Sequence, residues 1–234
     1  MRNFHDIIAL AAERHGGIEA LEAALRDTPV LSPAEIAATP DDRILAAMTR
    51  RVFYAGFSSK VIDAKWDAFE AAFDRFDPGS CAAIAEEGFD AILRNKDIVR
   101  NGAKIASVRL NAAYVVDLAM QHGSAARFFA DWPDDTYVAL LETLKQRGNR
   151  LGGETGMRFL RDIRKAAVIP TRDVVAALVR EGIPTGPPGG KRDFQAIQDA
   201  CNTWSRECGR NLTEISRILA MSIGDIGTAH RRGH

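Results

Sequence analysis

Between Thr136 and Arg164 the chain carries two short amphipathic segments separated by a glycine-rich break, an arrangement that few folds accommodate. Tyr137, Leu140, Leu141 and Leu144 recur at helical spacing, and Gly148 stands where a glycine in the left-handed conformation would close that helix. After Asn149, Arg150 and Leu151 comes Gly152-Gly153, and then Met157, Leu160 and Ile163, or Phe159 and Ile163, supply a second apolar face. The pattern predicts helix, short glycine hairpin, helix. A glycine pair at a helix start lets the backbone come close to a ligand, and free N–H groups with the helix dipole attract an anion such as phosphate. Arg147, Arg150, Arg158 and Arg161 surround the break, and residues 142–165 hold seven Lys/Arg against three Asp/Glu. An ordinary helical hairpin with a solvated basic face would carry the same charges.

The rest of the chain has the same periodicity. Phe4, Ile7, Ile8 and Ala11 predict a first helix stopped by Gly16-Gly17, and Ile18, Leu21 and Leu25 a second. Ser32-Pro33-Ala34-Glu35 and Thr39-Pro40-Asp41-Asp42 each place a capping hydroxyl first, proline at the first helical position and an acid in the first turn. The second of these opens a helix through Ile44, Leu45, Met48 and Val52 to about Tyr54, interrupted by Ala55-Gly56. Ile62, Trp66, Phe69 and Phe73 predict one amphipathic helix from Ser58, ended by Phe76-Asp77-Pro78, with its aromatics in the core. Short helices follow around Ala82 to Ala85 and Phe89 to Leu93, Asn101 begins a long helix that Gly123 ends, and Asn211 caps a last one. With 46% hydrophobic and 26% charged residues in 234, and many Ala, Leu, Ile, Glu and Arg, the expectation is an all-α fold with a sizeable core.

Formal net charge is zero, but it is distributed unevenly. Residues 1–49 hold four basic and eight acidic side chains, and residues 63–90 hold two and eight. Segment 94–109 reverses this, with Arg94, Lys96, Arg100, Lys104 and Arg109 against Asp97. Two basic segments therefore stand out as candidate nucleic-acid contacts, and the hairpin is one of them. The first residues lack the apolar core of a secretory signal and no apolar run reaches membrane-spanning length, so a cytoplasmic protein without a membrane partner is expected. Cys201 and Cys208 share an apolar face with Phe194, Ile197 and Trp204, which predicts buried reduced thiols; no zinc spacing appears, and neither metal nor cofactor is expected. In the breaker-rich stretch 182–190, Gly190-Lys191 lacks the Ser/Thr and the preceding strand of a phosphate-binding loop.

Several motifs in order resemble the type I 3-methyladenine DNA glycosylases of the helix-hairpin-helix glycosylase superfamily. Ala55-Gly56-Phe57-Ser58 is similar to that family's Ala-Gly-Leu-Ser, and Phe69, Phe73 and Phe76-Asp77-Pro78 to its Phe-rich helix ending in Phe-Asp-Pro. Ile98-Val99-Arg100-Asn101, Lys104-Ile105 and Asn111-Ala112 resemble its Ile-Ile-Arg, Lys-Ile and Asn-Ala positions, and Leu144 to Gly148 with Gly153 and Thr155 its hairpin. The resemblance covers roughly residues 45–180. It implies a single glycosylase-like domain over 1–234, built as two helical lobes around a central cleft: a core lobe with the hairpin over about 45–180, and a second lobe packed from 1–44 and 191–234. Arg51 stands where the family has a glutamate, and Ser59 where it has a stacking tryptophan. The family's zinc-binding cysteines and histidines have no counterpart.

Cutting a base from DNA requires flipping it out, holding it between aromatic or apolar groups, and stabilising an oxocarbenium-like sugar while water attacks. Phe53, Tyr54 and Phe57 flank the Ala-Gly break and could stack on the base, with Arg51 and Ser59 beside them; each aromatic could equally be core. Arg51 could instead meet a phosphate beside Arg50 or pair with Asp63 or Asp67. The resemblance implies DNA-backbone contacts from Arg100, Lys104, Arg147, Gly148, Arg150, Gly152, Gly153, Thr155 and Arg158. In the wider superfamily an aspartate after the hairpin stabilises the sugar cation, and Asp173 lies near that place, where it would also suit the first turn of a helix. Strand-cleaving relatives carry a lysine at the start of the second hairpin helix; Glu154 there supplies no amine, hence no Schiff base. The expected activity is monofunctional hydrolysis of the N-glycosidic bond of an alkylated or otherwise damaged purine, 3-methyladenine-like, in double-stranded DNA, by a monomer in base excision repair. The alternative is a catalytically silent DNA-binding protein on the same scaffold. A third pattern, residues 212–226, faintly resembles a helix-turn-helix but leaves too little chain for a recognition helix.

Overall fold

The computed structural model describes residues 1–183, 186 and 188–223. Part of the 182–190 stretch and residues 224–226 of the helix-turn-helix-like pattern therefore lie outside the described residues. Among those described, every regular element is helical: α1 (Phe4–Arg14), α2 (Ile18–Arg26), α3 (Pro33–Ala37), α4 (Asp41–Tyr54), α5 (Ser59–Ala64), α6 (Trp66–Ala72), α7 (Pro78–Ala82) and α8 (Glu86–Arg94). Then come α9 (Gly102–His122), α10 (Ala125–Asp131), α11 (Tyr137–Arg147), α12 (Glu154–Asp162), α13 (Arg172–Arg180), α14 (Lys191–Cys208) and α15 (Leu212–Met221). None of them is long and apolar enough to cross a membrane.

The chain divides into two units, one made of Met1–Val30, Pro133–Val138 and Ala166–His234, the other of Leu31–Trp132 and Ala139–Lys165. In the first, α1 packs on α2, α14 and α15, and α13 on α15. Its core holds Phe4, whose ring lies 5.4 Å from that of the fully buried Trp204. The irregular backbone after α12 is satisfied by side chains: Thr213 Oγ1 accepts from Ala167 N–H at 3.0 Å, and Ser216 Oγ from Ile169 N–H at 3.2 Å. All three cysteines are free; Cys81 and Cys201 are buried and Cys208 is half-buried, its thiol donating to the Trp204 carbonyl.

The second unit is built around α9, which packs on α4, α7 and α10. Its 21 residues begin where Asn101 accepts the Lys104 N–H and end at Gly123, which takes the left-handed conformation with φ 85°. Ser32 and Glu35 form the capping box that their spacing predicts. The second such start differs. α4 is capped by Pro40 without a side-chain bond, so Thr39 is not the cap; Asp41 instead reaches across to cap α10, accepting from the N–H groups of Ala125 at 2.9 Å and Ala126 at 3.2 Å.

The aromatic helix expected over 58–76 is broken twice. Lys65 leaves helical geometry between α5 and α6, and its ammonium donates to the Asp97 carbonyl at 2.7 Å. After α6 the residues Asp74, Arg75 and Phe76 all take positive φ, at 48°, 53° and 62°. Three consecutive left-handed L-residues cost roughly 1–2 kcal/mol each. The turn carries Phe76 back into the core, where its ring stacks on Trp66 at 5.2 Å and Phe73 at 5.6 Å, and the Arg75 carbonyl accepts from Arg43 at 2.6 Å. Burying a phenylalanine is worth about 1.5–3 kcal/mol, so it offsets much of that cost. Ser124 caps α10 locally by accepting the Arg127 N–H, so Asp41→Ala, which removes the acceptor for the two N–H groups before it, should lower stability by about 1 kcal/mol, measured as a shifted urea midpoint at unchanged slope.

Candidate functional site

In the second unit the last turn of α4 runs into the exposed corner Ala55-Gly56, and α12 packs against α4. Gly56 has φ 107°, which turns the chain so that Phe57 and Ser59 return beside Arg51 and Tyr54. Together with Glu154, Thr155 and Arg158 of α12 they line a cavity of about 420 Å³. Four of the five residues expected in a base pocket are therefore brought together. Phe53 is not among them. Its side chain points the other way on α4, is fully buried, and meets Phe69 edge-on at 4.7 Å.

Arg51 forms a bidentate ion pair with Asp162 of α12, Nε to Oδ2 and Nη2 to Oδ1, rather than with Asp63 or Asp67. Burial works to lower its pKa, but the hydrogen bond and charge of Asp162 outweigh that and hold it above the ordinary arginine value. The guanidinium also lies 5.1 Å from the Tyr54 ring. Tyr54 donates its hydroxyl to Asp63, and burial first, then Asp63, push its pKa up to about 12. Arg51, Tyr54 and Asp162 also line a second cavity of about 370 Å³, whose other wall carries Arg43, Arg50 and Trp66. The Arg50 guanidinium lies 4.0 Å from the Trp66 ring centroid, and Arg43 is held by Glu70 at 2.8 Å.

Behind the corner stands Lys104. Expected at a phosphate, it is instead buried, and its ammonium donates to the carbonyls of Val52 and Ala55, closing the C-terminal end of α4. Burial, and then the charge of Arg150, lower its pKa. The Phe57 and Phe53 rings lie 5.4 and 5.9 Å from Nζ. A lysine of the basic segment thus holds Ala55, which lines the cavity, because the orphan carbonyls at a helix end need a donor there.

The hairpin joins α11 to α12 across residues 148–153. Gly148 does not adopt positive φ; an added Cβ would lie 2.7 Å from Leu151 Cδ1 and 2.8 Å from the Leu144 carbonyl, so the glycine serves close packing. Gly153 is the left-handed one, with φ 60° and ψ −140°, and it starts α12 without a side-chain cap, leaving the first N–H groups of that helix to solvent or a ligand. Asn111 of α9 clamps the loop from both sides, its amide donating to the Asn149 carbonyl at 3.1 Å and its Oδ1 accepting the Asn149 N–H at 2.7 Å. Arg150 is exposed, donating to the Ala103 carbonyl at 3.3 Å, and Gly152 is half-buried. Arg147 pairs with Asp117 and lies over the Tyr114 ring, and Arg158 pairs with Glu154 at 2.6 Å. Arg100 is exposed two residues before α9. Asp173 belongs to the first unit, exposed in the first turn of α13 beneath the Thr171 cap.

Asp162, Glu154, Asn111 and Asp117 carry this site without having been singled out as candidates from the sequence. Glu154, Thr155, Arg158 and Asp162 follow one another at helical spacing, which marks one face of α12, but nothing local pairs Asp162 with a residue 111 positions away.

Arg51→Ala should cost about 1–3 kcal/mol of unfolding free energy, since both partners are more than two-thirds buried and Asp162 is left unpaired; with Asp162→Ala added, the loss should be smaller than the sum in a double-mutant cycle. Gly153→Ala should lower stability by about 1–3 kcal/mol from backbone strain alone, because open space surrounds the added methyl group. Calorimetric melting checks both.

A crystal structure of 3-methyladenine DNA glycosylase I is 24% identical to this chain over 62% of it and 87% of that protein, with a TM-score of 0.49. The Staphylococcus aureus 3-methyladenine DNA glycosylase I, solved for the structural basis of 3-methyladenine recognition, is 23% identical over 53% and 77%, with a TM-score of 0.48. The Methanocaldococcus jannaschii 8-oxoguanine glycosylase/lyase, solved with a 15mer DNA containing 8-oxoguanine, shares the fold over 91% of this chain and 94% of its own, at 13% identity and a TM-score of 0.50. Residues 37–154, just over half of the chain, match the family model described as methyladenine glycosylase, and that span holds the α4 wall of the cavity, the corner, α9 and the hairpin. The chain belongs to the methyladenine glycosylase family.

Proposed function

We propose that this protein is a monofunctional DNA glycosylase of base excision repair, hydrolysing the N-glycosidic bond of a damaged purine in double-stranded DNA as a cytoplasmic monomer. The observation that carries this reading is that a cavity large enough to admit a nucleobase is lined by the first residues of a helix without a side-chain cap, in a chain of the methyladenine glycosylase family. A flipped base would enter between Tyr54 and Phe57, with Arg51 and Ser59 beside it. The backbone N–H groups after Gly152-Gly153, the Thr155 hydroxyl and the side chains of Arg150, Arg158 and Arg100 would meet the phosphates. Arg147 would hold the loop through Asp117 beside Gly148, and Lys104 would act from within.

The Arg51–Asp162 pair bears on the choice of base. A guanidinium offers only donors, and its charge is balanced by Asp162, so this wall presents no free carboxylate to a cationic alkylated base. A neutral or acceptor-rich lesion suits it better. The same pair favours the alternative, a DNA-binding protein without catalysis, if Arg51 closes the cavity to every base.

Incubation with duplexes carrying 3-methyladenine, hypoxanthine or oxidised purines separates the two, since a monofunctional enzyme releases free base and leaves an alkali-labile abasic strand. Release of neutral lesions should exceed that of 3-methyladenine. Arg51→Glu combined with Asp162→Asn, which avoids opposed carboxylates, should shift the ratio toward 3-methyladenine. Absence of base release from any lesion, with duplex binding intact, would establish the silent binder. Arg150→Ala should weaken binding about equally for all sequences and reduce the slope of log K against log salt by about 1.

A further inference from the structure

We infer that Glu154 is a catalytic residue, the proton acceptor for the water that attacks the sugar; this rests on the glycosylase reading above. Three observations converge on it. Among the described residues, Glu154 is the one carboxylate lining the 420 Å³ cavity. Of the other polar groups of that wall, Arg51 is engaged by Asp162 and the Tyr54 hydroxyl by Asp63, Arg158 is a cation, and the hydroxyls of Ser59 and Thr155 are not bases at neutral pH. The Glu154 side chain is held in place by Arg158, which donates from Nε at 2.7 Å, yet it remains 61% exposed, so water reaches it.

Its position in the chain supplies the geometry. Gly153, immediately before it, is the left-handed residue at the uncapped helix start, and Thr155, immediately after it, lines the cavity. A nucleotide with its phosphate at the helix start and its base in the cavity has its sugar between the two, which is where Glu154 stands. In the step assigned here, the water oxygen forms a bond to C1′ as the C1′–N bond breaks, and that bond's electron pair leaves on the base nitrogen. One water proton passes to the Glu154 carboxylate, which returns it to solvent, and a neutral departing base takes up a proton from solvent.

A first-turn glutamate could also serve only to steady α12 through Arg158, and the test separates that role from catalysis. Single-turnover base release is measured for wild type, Glu154→Gln and Glu154→Asp on the lesion that the wild type releases best. The dissociation constant for a duplex of that lesion with a non-hydrolysable sugar, and the melting temperature, are measured on the same proteins. Glu154→Gln should slow release on the order of 100-fold while the dissociation constant changes less than threefold, and Glu154→Asp should recover part of the rate. A Glu154→Gln rate within threefold of wild type, or a loss matched by an equal loss of binding or by unfolding, overturns the role while the glycosylase reading stands. A wild type that releases no base overturns both.

Discussion

The ion pair between Arg51 and Asp162 is the interaction on which the site depends, because it joins the C-terminal half of α4 to the far end of the second hairpin helix. Both side chains are more than two-thirds buried, so each would carry an uncompensated charge without the other. Arg51 and Tyr54 line both cavities, so the pair holds in place a side chain that the two share. An arginine in that wall therefore exchanges a reading group for a structural strut. Its donors are committed to Asp162, and what reaches the cavity is a balanced pair rather than a free charge.

α9 does for the hairpin what that pair does for the wall. Asn111 holds Asn149 of the 148–153 loop by both its N–H and its carbonyl, which fixes the loop more strictly than a single bond would. From its first turn, the same helix sends Lys104 inward to the last carbonyls of α4. A buried ammonium with carbonyl partners costs desolvation, and the lowered pKa records that cost. The corner at Ala55-Gly56 and the tip at Gly153 are thereby referenced to one rigid element, so the positions of cavity and uncapped helix start are set together.

Where charge was legible from sequence, its use was not. The excess of basic residues in 94–109 and 142–165 is evident, but the segments divide their charges among three tasks. Lys104 closes a helix, Arg147 and Arg158 meet carboxylates at Asp117 and Glu154, and Arg150 and Arg100 remain exposed. The aromatic run behaves likewise. Phe69, Phe73 and Phe76 are core as expected, while Trp66 stacks on them from a half-buried position that lines the 370 Å³ cavity, and the cluster closes only by way of a left-handed turn at 74–76 that helical periodicity does not announce.

The helical class, the hairpin and those helix ends that are set by neighbours within four residues can be read along the chain: Ser32 with Glu35, Asn101, Gly123, and Asn211 with Glu214. These are legible because a cap or a left-handed glycine acts on backbone groups of its own turn. The packing of the helices settles that Asp41 joins Ser124 at the start of α10, that Phe53 faces the core while Tyr54 faces the cavity, that Arg51 belongs to Asp162, and that Glu154 faces the cavity. Each of those depends on which helix faces which across the fold, and a contact spanning 84 or 111 residues leaves no periodic or local trace in the chain.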